Sequence, residues 1–395
     1  MTTIALVIGT SPCALWGVDG AERLRRQFAQ AGIDMVRENV PLPANATRVL
    51  VVSAAYLFEA LTLSGLAEHE RALLVCEDDG EVAAAVIPPA EIASVVDRVG
   101  EARPTASSVP VLTPADLAGY DRQLRKSSPP LLKPIAVGQR GILEGLLYGN
   151  AYKGITDLVT KWWWPRPART VVGWCARLGI TPNGVTLTGF ALVIAATWLF
   201  LEGAYALGLV CGWIMTLLDT VDGKLARVTV TSSRFGHLLD HGIDVLHPPF
   251  WYIAWGAGLG LAEIAGLPIA TWCWLVGGGY VAGRVIEVLF HQLGHCGIFA
   301  WRPFDAYFRL ITARRNPCLI LLTVLLAVGE PDVAFVGVVV WTLSSTAILA
   351  LRLLYASAVR WRSGPLESWL KDPERARRDH PRAWHTFSAT RGAYR

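Results

Sequence analysis

The sequence predicts a soluble α/β domain followed by an α-helical integral membrane domain with six transmembrane helices and one interfacial amphipathic helix. Of the 395 residues, 53% are apolar and only 17% are charged, whereas soluble domains carry about 25% charged residues. Fifteen of the sixteen tryptophans lie at or beyond Trp162. The apolar runs long enough to span a bilayer lie beyond Gly184. We therefore expect the first third of the chain to be soluble and the rest to lie in a membrane.

The first domain, residues 1–125, is predicted from short apolar runs that alternate with helical stretches, which is typical of an α/β domain with a mostly parallel sheet. No basic segment followed by an apolar run opens the chain, so we expect no signal peptide and a cytosolic location. A linker is predicted at residues 126–150, because Lys126–Gly138 is rich in Pro and Ser. The strand-like runs are Ile4–Ile8, Val49–Val52, Ala72–Val75 and Ala83–Ile87, and one helical stretch is Ala21–Ala31.

The membrane domain is predicted at residues 151–360. Between Tyr152 and Ile180, the tryptophans Trp162–Trp164 stand among basic residues, a mixture suited to a helix that lies in the lipid headgroups. Six apolar segments follow, and two of them are short for a span of about 20 residues. The segments are Gly184–Leu201, Tyr205–Leu218, Ile243–Leu261, Pro268–Phe290, Pro317–Val328 and Val333–Ser357.

The distribution of Lys and Arg among the connections predicts the topology. The connections after the first, third and fifth segments contain neither residue, while those after the second and fourth contain several. Positive charge marks the cytosolic side. Both termini and the second connection are therefore predicted to be cytosolic, in what we expect to be the cell inner membrane. Residues 361–395 are predicted to form a basic cytosolic tail. The basic connection residues are Lys224, Arg227, Arg234, Arg302, Arg309, Arg314 and Arg315.

Several functions are excluded or left open by the same sequence. The net charge of +4 is too small to indicate binding of nucleic acid, and no run of basic residues alternates with aromatic residues as a nucleic-acid groove would require. The seven cysteines contain no C-x-x-C pair, so no zinc knuckle or disulfide framework is indicated. His291 and His295 have a spacing that suits zinc but no third ligand nearby. Arg309, Arg314 and Arg315 are either topology-determining charges or a phosphate-binding cluster, and the sequence does not separate these readings.

Four carboxylates surround the short connection after the second apolar segment. Asp219 and Asp222 are three residues apart, and Asp240 and Asp244 are four apart, so each pair shares one helix face. Two antiparallel helices could bring the pairs together, where the four charges would repel one another. Mg²⁺ or Mn²⁺ would neutralise them, because these ions take oxygen ligands and commonly keep substrate phosphate as a further ligand.

The residues between the carboxylates favour a pocket for a metal-bound diphosphate. Gly223, Ala226 and Gly236 are small where a ligand must approach the backbone closely. Arg227 can pair with a phosphate through its planar guanidinium. Carboxylates near a membrane boundary are costly and usually functional, so we favour this reading over ordinary loop charges.

The pattern D-x2-D-G-x2-A-R-x8-G-x3-D-x3-D, which runs from Asp219 to Asp244, resembles the signature of the CDP-alcohol phosphotransferase (phosphatidyltransferase) family in every residue and interval. The resemblance covers about residues 152–360. It implies an enzyme of phospholipid biosynthesis in which Asp219, Asp222 and Asp240 hold a pair of divalent ions. Asp244 would be the general base and a further ligand. The cytidine diphosphate site would be lined by Gly223, Ala226, Arg227 and Gly236.

The implied reaction is attack of an acceptor hydroxyl on the β-phosphorus of a CDP-alcohol, such as CDP-diacylglycerol, with release of CMP. The expected partners are the donor, an alcohol or alcohol-phosphate acceptor and membrane lipids, and the hypothesis admits a homodimer. The first domain resembles a degenerate nucleotidyltransferase, since its strand and glycine turn lack the usual basic residues. The alternatives are a bifunctional enzyme that also makes its CDP-alcohol from CTP, an ion-coupled transporter and a membrane scaffold.

Overall fold

A computed structural model describes residues 2–37, 43, 45–102, 108–117, 119–121, 126–128, 131–294 and 296–388. The N-terminal region is an α/β unit, as predicted, and each predicted strand or helix coincides with one of its elements. In chain order these are β1 (Thr2–Ile8), α1 (Gly20–Ala31), β2 (Asp34–Arg37), β3 (Ala46–Ser53), β4 (Tyr56–Phe58), α2 (Ala60–Ala67), β5 (Ala72–Val75), β6 (Val82–Ile87), α3 (Ile92–Val96), β7 (Val111–Leu112), β8 (Gly119–Asp121), β9 (Lys126–Ser128) and β10 (Leu132–Pro134).

The main sheet has the strand order β2-β1-β3-β6-β5-β7. β1 is parallel to β2 and β3, and β5 is parallel to β7, but β6 is antiparallel to both of its neighbours. Five of the six strands therefore run in the same direction, which agrees with the expectation of a mostly parallel sheet, and β6 alone among them is reversed. The reversal of β6 follows from the short connection at residues 76–81 between β5 and β6, which allows only a hairpin, whereas parallel neighbours need a longer crossover.

The segment predicted as a linker contributes to the N-terminal region. β10 pairs in antiparallel register with β4, with Leu132 opposite Phe58. Leu132 is 5% exposed and packs in the cluster beneath the sheet. The predicted linker thus contains a strand that belongs to the α/β unit, while the proposed domain boundaries stay a prediction.

Helices account for most of the remaining chain. After α4 (Arg140–Asn150) and a π-helical turn at Val159–Trp163, the helices are α5 (Pro165–Leu178), α6 (Pro182–Leu201), α7 (Tyr205–Val228), α8 (Arg234–Gly258), α9 (Ile269–Gly294), α10 (Pro303–Ile311), α11 (Arg315–Ala327), α12 (Pro331–Ser363), α13 (Pro373–Asp379) and α14 (Pro381–Phe387). A small hairpin, β11 (Glu263–Ile264) with β12 (Leu267–Pro268), joins α8 to α9.

Each of the six predicted apolar segments lies on a helix, but not every helix can be counted as a span. By length and composition, α6, α7, α9 and α12 could each cross a membrane, and α10 with α11, bent by 43°, gives a fifth candidate. α8 is not among them, because its predicted segment includes Asp244, His247 and two prolines. Four or five spans are thus supported, and six stay a prediction. So does the interfacial position of α5, which exposes 56% of Trp174.

The helical core fixes α8, which carries two of the four signature carboxylates. Trp251 and Trp255 on this helix are almost fully buried and pack with Phe200 and Phe335 of neighbouring helices. Gly258 makes the closest contact, since a Cβ at this position would lie 1.9 Å from the Phe200 carbonyl oxygen. α8 can therefore approach α6 closely only because residue 258 is glycine. This packing fixes the position of α8, and with it the positions of Asp240 and Asp244.

Candidate metal and nucleotide site

The signature residues lie on the C-terminal half of α7 and the N-terminal half of α8, on either side of the connection at residues 229–233. Asp219, Asp240 and Asp244 each provide a carboxylate oxygen, and these three oxygens all lie within 4.8 Å of one another. Three of the four predicted ligands therefore lie close together, as expected from the helix faces that each pair shares. All three side chains are partly buried, so their mutual repulsion is weakly screened by water.

Asp222 lies beside this trio in a different environment. It is 4% exposed, and its Oδ2 accepts a 2.6 Å hydrogen bond from the Thr186 hydroxyl on α6. Thr186 therefore holds the carboxylate toward α6. Metal ligation by Asp222 stays a prediction.

The three clustered oxygens fit a hard divalent cation. Mg²⁺ and Mn²⁺ prefer carboxylate and phosphate oxygens, and the cluster contains only carboxylates. The residues that would hold such an ion are Asp219, Asp240 and Asp244.

Arg315, the first residue of α11, reaches the carboxylate cluster from 71 residues farther along the chain than Asp244. Its Nη1 donates to Asp244 Oδ1 at 2.5 Å, and its Nη2 donates to Asp219 Oδ2. Its side chain is 12% exposed, so the guanidinium is a buried counter-charge between two of the ligands. Neither of the two readings of Arg315 from the sequence included this contact with the carboxylates, and both stay predictions.

The two neighbouring arginines have other partners. Arg314 forms an ion pair with Glu287 of α9, and Arg309 lies over the ring of Phe299, with its guanidinium carbon 5.6 Å from the ring centre. Arg314 lies over the same ring, with its guanidinium carbon 5.2 Å from the ring centre. Sequence reasoning missed that Arg315 contacts the carboxylates, while the other two arginines share Phe299. The crowding of arginines at the start of a predicted span was the one available signal.

A buried polar cluster supports α11 next to Arg315. Asp157 is 6% exposed and accepts hydrogen bonds from the Asn316 amide at 2.9 Å and the Thr160 hydroxyl at 2.9 Å. Burial alone would raise the pKa of Asp157, but the charge of Arg309 and these hydrogen bonds hold it below its usual value. No motif indicated this cluster, which joins the π-helical turn to α11.

The predicted nucleotide residues line one pocket beside the carboxylates. Gly223 and Gly236 are sites of close approach: a Cβ at Gly223 would lie 3.1 Å from Arg227 Nη2, and one at Gly236 would lie 2.5 Å from Asn183 Oδ1. Arg227 Nε donates to the Ala151 carbonyl at 2.9 Å, and this hydrogen bond fixes the Nε end of the guanidinium group. The lining residues are Pro182, Asn183, Thr186, Asp222, Gly223, Ala226, Arg227, Thr231, Ser232, Ser233, Gly236, His237 and Asp240.

An apolar groove of about 490 Å³ lies between α8 and α9. Val245 and Leu246, the two residues that follow Asp244 in the chain, line it. At the same end, Pro249 has no N–H for the Val245 carbonyl, which instead accepts a 3.0 Å hydrogen bond from the Tyr280 hydroxyl. Exposed aliphatic residues of α9 form the opposite wall. These are Val281, Val285, Val288 and Leu289.

The histidine pair considered for zinc is only half described. His291 is exposed at the end of α9, and His295 lies outside the described residues. Among the residues that the structure describes, the acidic trio is the one group of three or more His, Cys, Asp or Glu side chains placed to hold a metal ion.

The sequence was also compared with protein families and with curated proteins. It is 42% identical over 72 residues to archaetidylinositol phosphate synthase of Pyrococcus horikoshii, which is 18% of this chain and 38% of that protein. It is 30% identical over 131 residues to human cholinephosphotransferase 1, covering 30% and 31% of the two chains. It is 36% identical over 89 residues to phosphatidylinositol phosphate synthase of Mycobacteroides abscessus, covering 21% and 40%.

The chain thus spans less than half the length of each of these relatives, and each match is to an enzyme. The resemblance of residues 1–125 to nucleotidyltransferases stays a prediction. The model of the CDP-alcohol phosphatidyltransferase family matches residues 179–292, which include all four aspartates and the pocket residues between them. The chain therefore carries a domain of the CDP-alcohol phosphatidyltransferase family at residues 179–292.

Proposed function

We propose that this protein transfers a substituted phosphate group from a CDP-alcohol to an acceptor hydroxyl and releases CMP. The observation that carries the proposal is the position of the carboxylate oxygens of Asp219, Asp240 and Asp244, within 4.8 Å of one another, next to a pocket lined by Gly223 and Arg227. A transporter would place its carboxylates near the middle of the membrane. Here they flank the connection between α7 and α8.

In the proposed mechanism, Asp219, Asp222, Asp240 and Asp244 would hold a pair of Mg²⁺ or Mn²⁺ ions. When bound, the ions neutralise charge on the diphosphate and on the departing CMP. Arg227 and the glycine-lined pocket bind the cytidine diphosphate part of the donor.

The acceptor oxygen attacks the β-phosphorus, the bond from that phosphorus to the CMP oxygen breaks, and the acceptor proton passes to Asp244 as general base. Arg315 orients Asp244 by donating to Oδ1, so we assign Oδ2 as the proton acceptor. Asp244 is the most exposed of the carboxylates bonded to Arg315, with 36% of its side chain accessible, which suits a group that must meet a substrate.

The groove between α8 and α9 supports a lipid as one of the two substrates. It lies within the range of about 300–1,000 Å³ that is usual for ligand sites, and it begins one residue after the proposed base. A diacylglyceryl chain could lie there, whether it belongs to the donor or to the acceptor. The proposal includes an integral position in the cell inner membrane with the pocket on the cytosolic side, since the basic connections favour that orientation.

The test is CMP release by the purified chain in lipid, across a panel of CDP-alcohols and acceptors with Mg²⁺ or Mn²⁺. We expect Asp244→Asn to lower kcat at least about 100-fold, as removal of a general base does, and Asp240→Asn to weaken activation by the metal. Asp97→Asn, an exposed aspartate in the N-terminal region, is the control and should match the wild type.

The proposal fails if no pair of substrates releases CMP, or if the Asn variants at 240 and 244 match the control. A parallel reaction with CTP and alcohol phosphates, in place of the CDP-alcohol, tests the bifunctional alternative.

A further inference from the structure

We infer that the N-terminal α/β unit is a positioning element of the nucleotide pocket: Arg26 and Gln30 of α1 hold the connection between α7 and α8 in the shape that binds the donor. This inference rests on the proposed function, because it concerns the affinity of the same pocket. It assigns a role to a region whose sequence suggested only a degenerate nucleotidyltransferase.

The contacts run from one face of α1 to three backbone carbonyls. Arg26 Nη1 donates to the Thr229 carbonyl at 2.8 Å, and Gln30 Nε2 donates to the carbonyls of Val230 at 3.3 Å and Ser232 at 3.4 Å. Arg26 and Gln30 are four residues apart, so they project from the same side of the helix. The connection is therefore held along its length and not at a single point.

The connection needs such support. Val230 has φ of 54°, a left-handed conformation that is rare for a β-branched residue and persists only where its surroundings impose it. The next three residues, Thr231, Ser232 and Ser233, line the pocket. Contacts that fix Val230 and Ser232 therefore also fix one wall of the nucleotide site.

α1 is itself firmly placed relative to the membrane helices. Its N-terminus is capped by Asp19, whose Oδ1 accepts from Glu22 N at 2.9 Å. Just before the cap, Trp16 inserts between α4, α5 and α7 and is only 7% exposed, in a cluster with Tyr148, Val172 and Leu225.

Hydrogen bonds fix both ends of the Trp16 residue. Its backbone N–H donates to Glu144 Oε1 at 2.9 Å, and its indole Nε1 donates to the Glu144 carbonyl at 3.0 Å. The turn that precedes α1 thus anchors the N-terminal unit to the helical region. Trp16 attaches the N-terminal unit to α4, α5 and α7, and the Arg26–Gln30 face attaches it to the connection that lines the nucleotide pocket.

The experiment compares Arg26→Gln with Arg25→Gln in the full-length chain. Both arginines pair with Glu22, but among the described residues the polar contacts of Arg25 stay within α1. Binding of CMP and CDP is measured by calorimetry with Mg²⁺, and donor kinetics are measured in parallel. Hydrogen exchange reports the mobility of residues 229–233.

We expect Arg26→Gln to raise the Kd for CMP and the donor KM about tenfold, which is the effect of losing one charged hydrogen bond. kcat should change less than about twofold, because no reacting group is altered. Exchange at residues 229–233 should quicken, Arg26→Lys should restore part of the affinity, and Arg25→Gln should match the wild type.

The inference is overturned if Arg26→Gln and Arg25→Gln have the same nucleotide affinity, or if exchange at residues 229–233 is unchanged. A fall in kcat with an unchanged donor KM also overturns it. If the wild type binds neither CMP nor CDP, the proposed function fails instead, and the exchange measurement still decides whether Arg26 holds the connection.

Discussion

Replacement of Arg315 by methionine removes the guanidinium that lies between Asp219 and Asp244. The side chains of Arg315 and Asp219 are 12% and 17% exposed, so this pair counts as buried, whereas Asp244 at 36% is partly screened by solvent. Loss of one partner of a buried pair costs about 3–5 kcal/mol because the other charge stays uncompensated. With the discount for Asp244, we expect the variant to lose about 3 kcal/mol of stability in EDTA.

Addition of Mn²⁺ should reverse much of this loss. In the wild type a bound metal would share the site with the Arg315 guanidinium, and in the variant the metal alone would neutralise the carboxylates. A ligand at 100 times its Kd stabilises a protein by about 2.7 kcal/mol. We expect Mn²⁺ to bind the variant at least about tenfold more tightly than the wild type, since unit charges 4 Å apart interact by about 4 kcal/mol at an effective dielectric constant of 20.

The assay is thermal unfolding of the purified protein in EDTA and across a Mn²⁺ titration. Arg314→Met is the matched control, because it removes the neighbouring arginine and breaks that residue's ion pair with Glu287. Mn²⁺ should not reverse the loss of stability in this variant. The reasoning is refuted if Arg315→Met is as stable as the wild type in EDTA, or if Mn²⁺ stabilises both methionine variants equally.

Three further predictions concern the pocket, the groove and the buried acid. Gly236→Ala places a Cβ 2.5 Å from Asn183 Oδ1, so the Kd for CMP should rise about tenfold in calorimetry; an unchanged Kd would contradict the pocket assignment. Val281→Trp should lower turnover of long-chain lipid substrates but spare six-carbon chains, while Val324→Trp, equally exposed at 56% on α11, should do neither; equal effects on both chain lengths would exclude the groove. The depressed pKa of Asp157 means that its stabilising contribution is complete above its usual pKa of about 4 and is lost as pH falls through the folded-state value. Asp157→Asn should therefore have a lower midpoint temperature of unfolding than the wild type at pH 7. The difference between the two midpoint temperatures should become smaller below pH 4, and a difference that does not change with pH would contradict this prediction.

Local spacing explains what could be predicted of the site. Asp219 with Asp222, and Asp240 with Asp244, lie on the helices that their intervals indicated, and helix geometry alone carries each pair to one face. The pocket glycines could be predicted for the same reason, since small residues near clustered carboxylates indicate close approach of a ligand. These features depend on neighbours within one or two helical turns.

Arg315 and the role of the N-terminal unit could not be predicted, because both depend on packing between distant segments. Arg315 reaches Asp219 across 96 residues, and Arg26 reaches Thr229 across 203 residues. The direction of β6 was missed, although the short interval between the predicted runs of β5 and β6 was visible in the sequence. The strand pattern is the same for either direction, and the short connection after β5 decides the direction.

The most direct test of the central claim follows the β-phosphate of a CDP-alcohol donor labelled with ³²P at that position. If the acceptor oxygen attacks the β-phosphorus, all of the label appears in the phosphodiester product and the released CMP is unlabelled. This transfer should need Mg²⁺ or Mn²⁺ and should fall at least about 100-fold in Asp244→Asn. Label that stays in the donor for every acceptor, or transfer that is equal in the wild type and Asp244→Asn, would contradict the account.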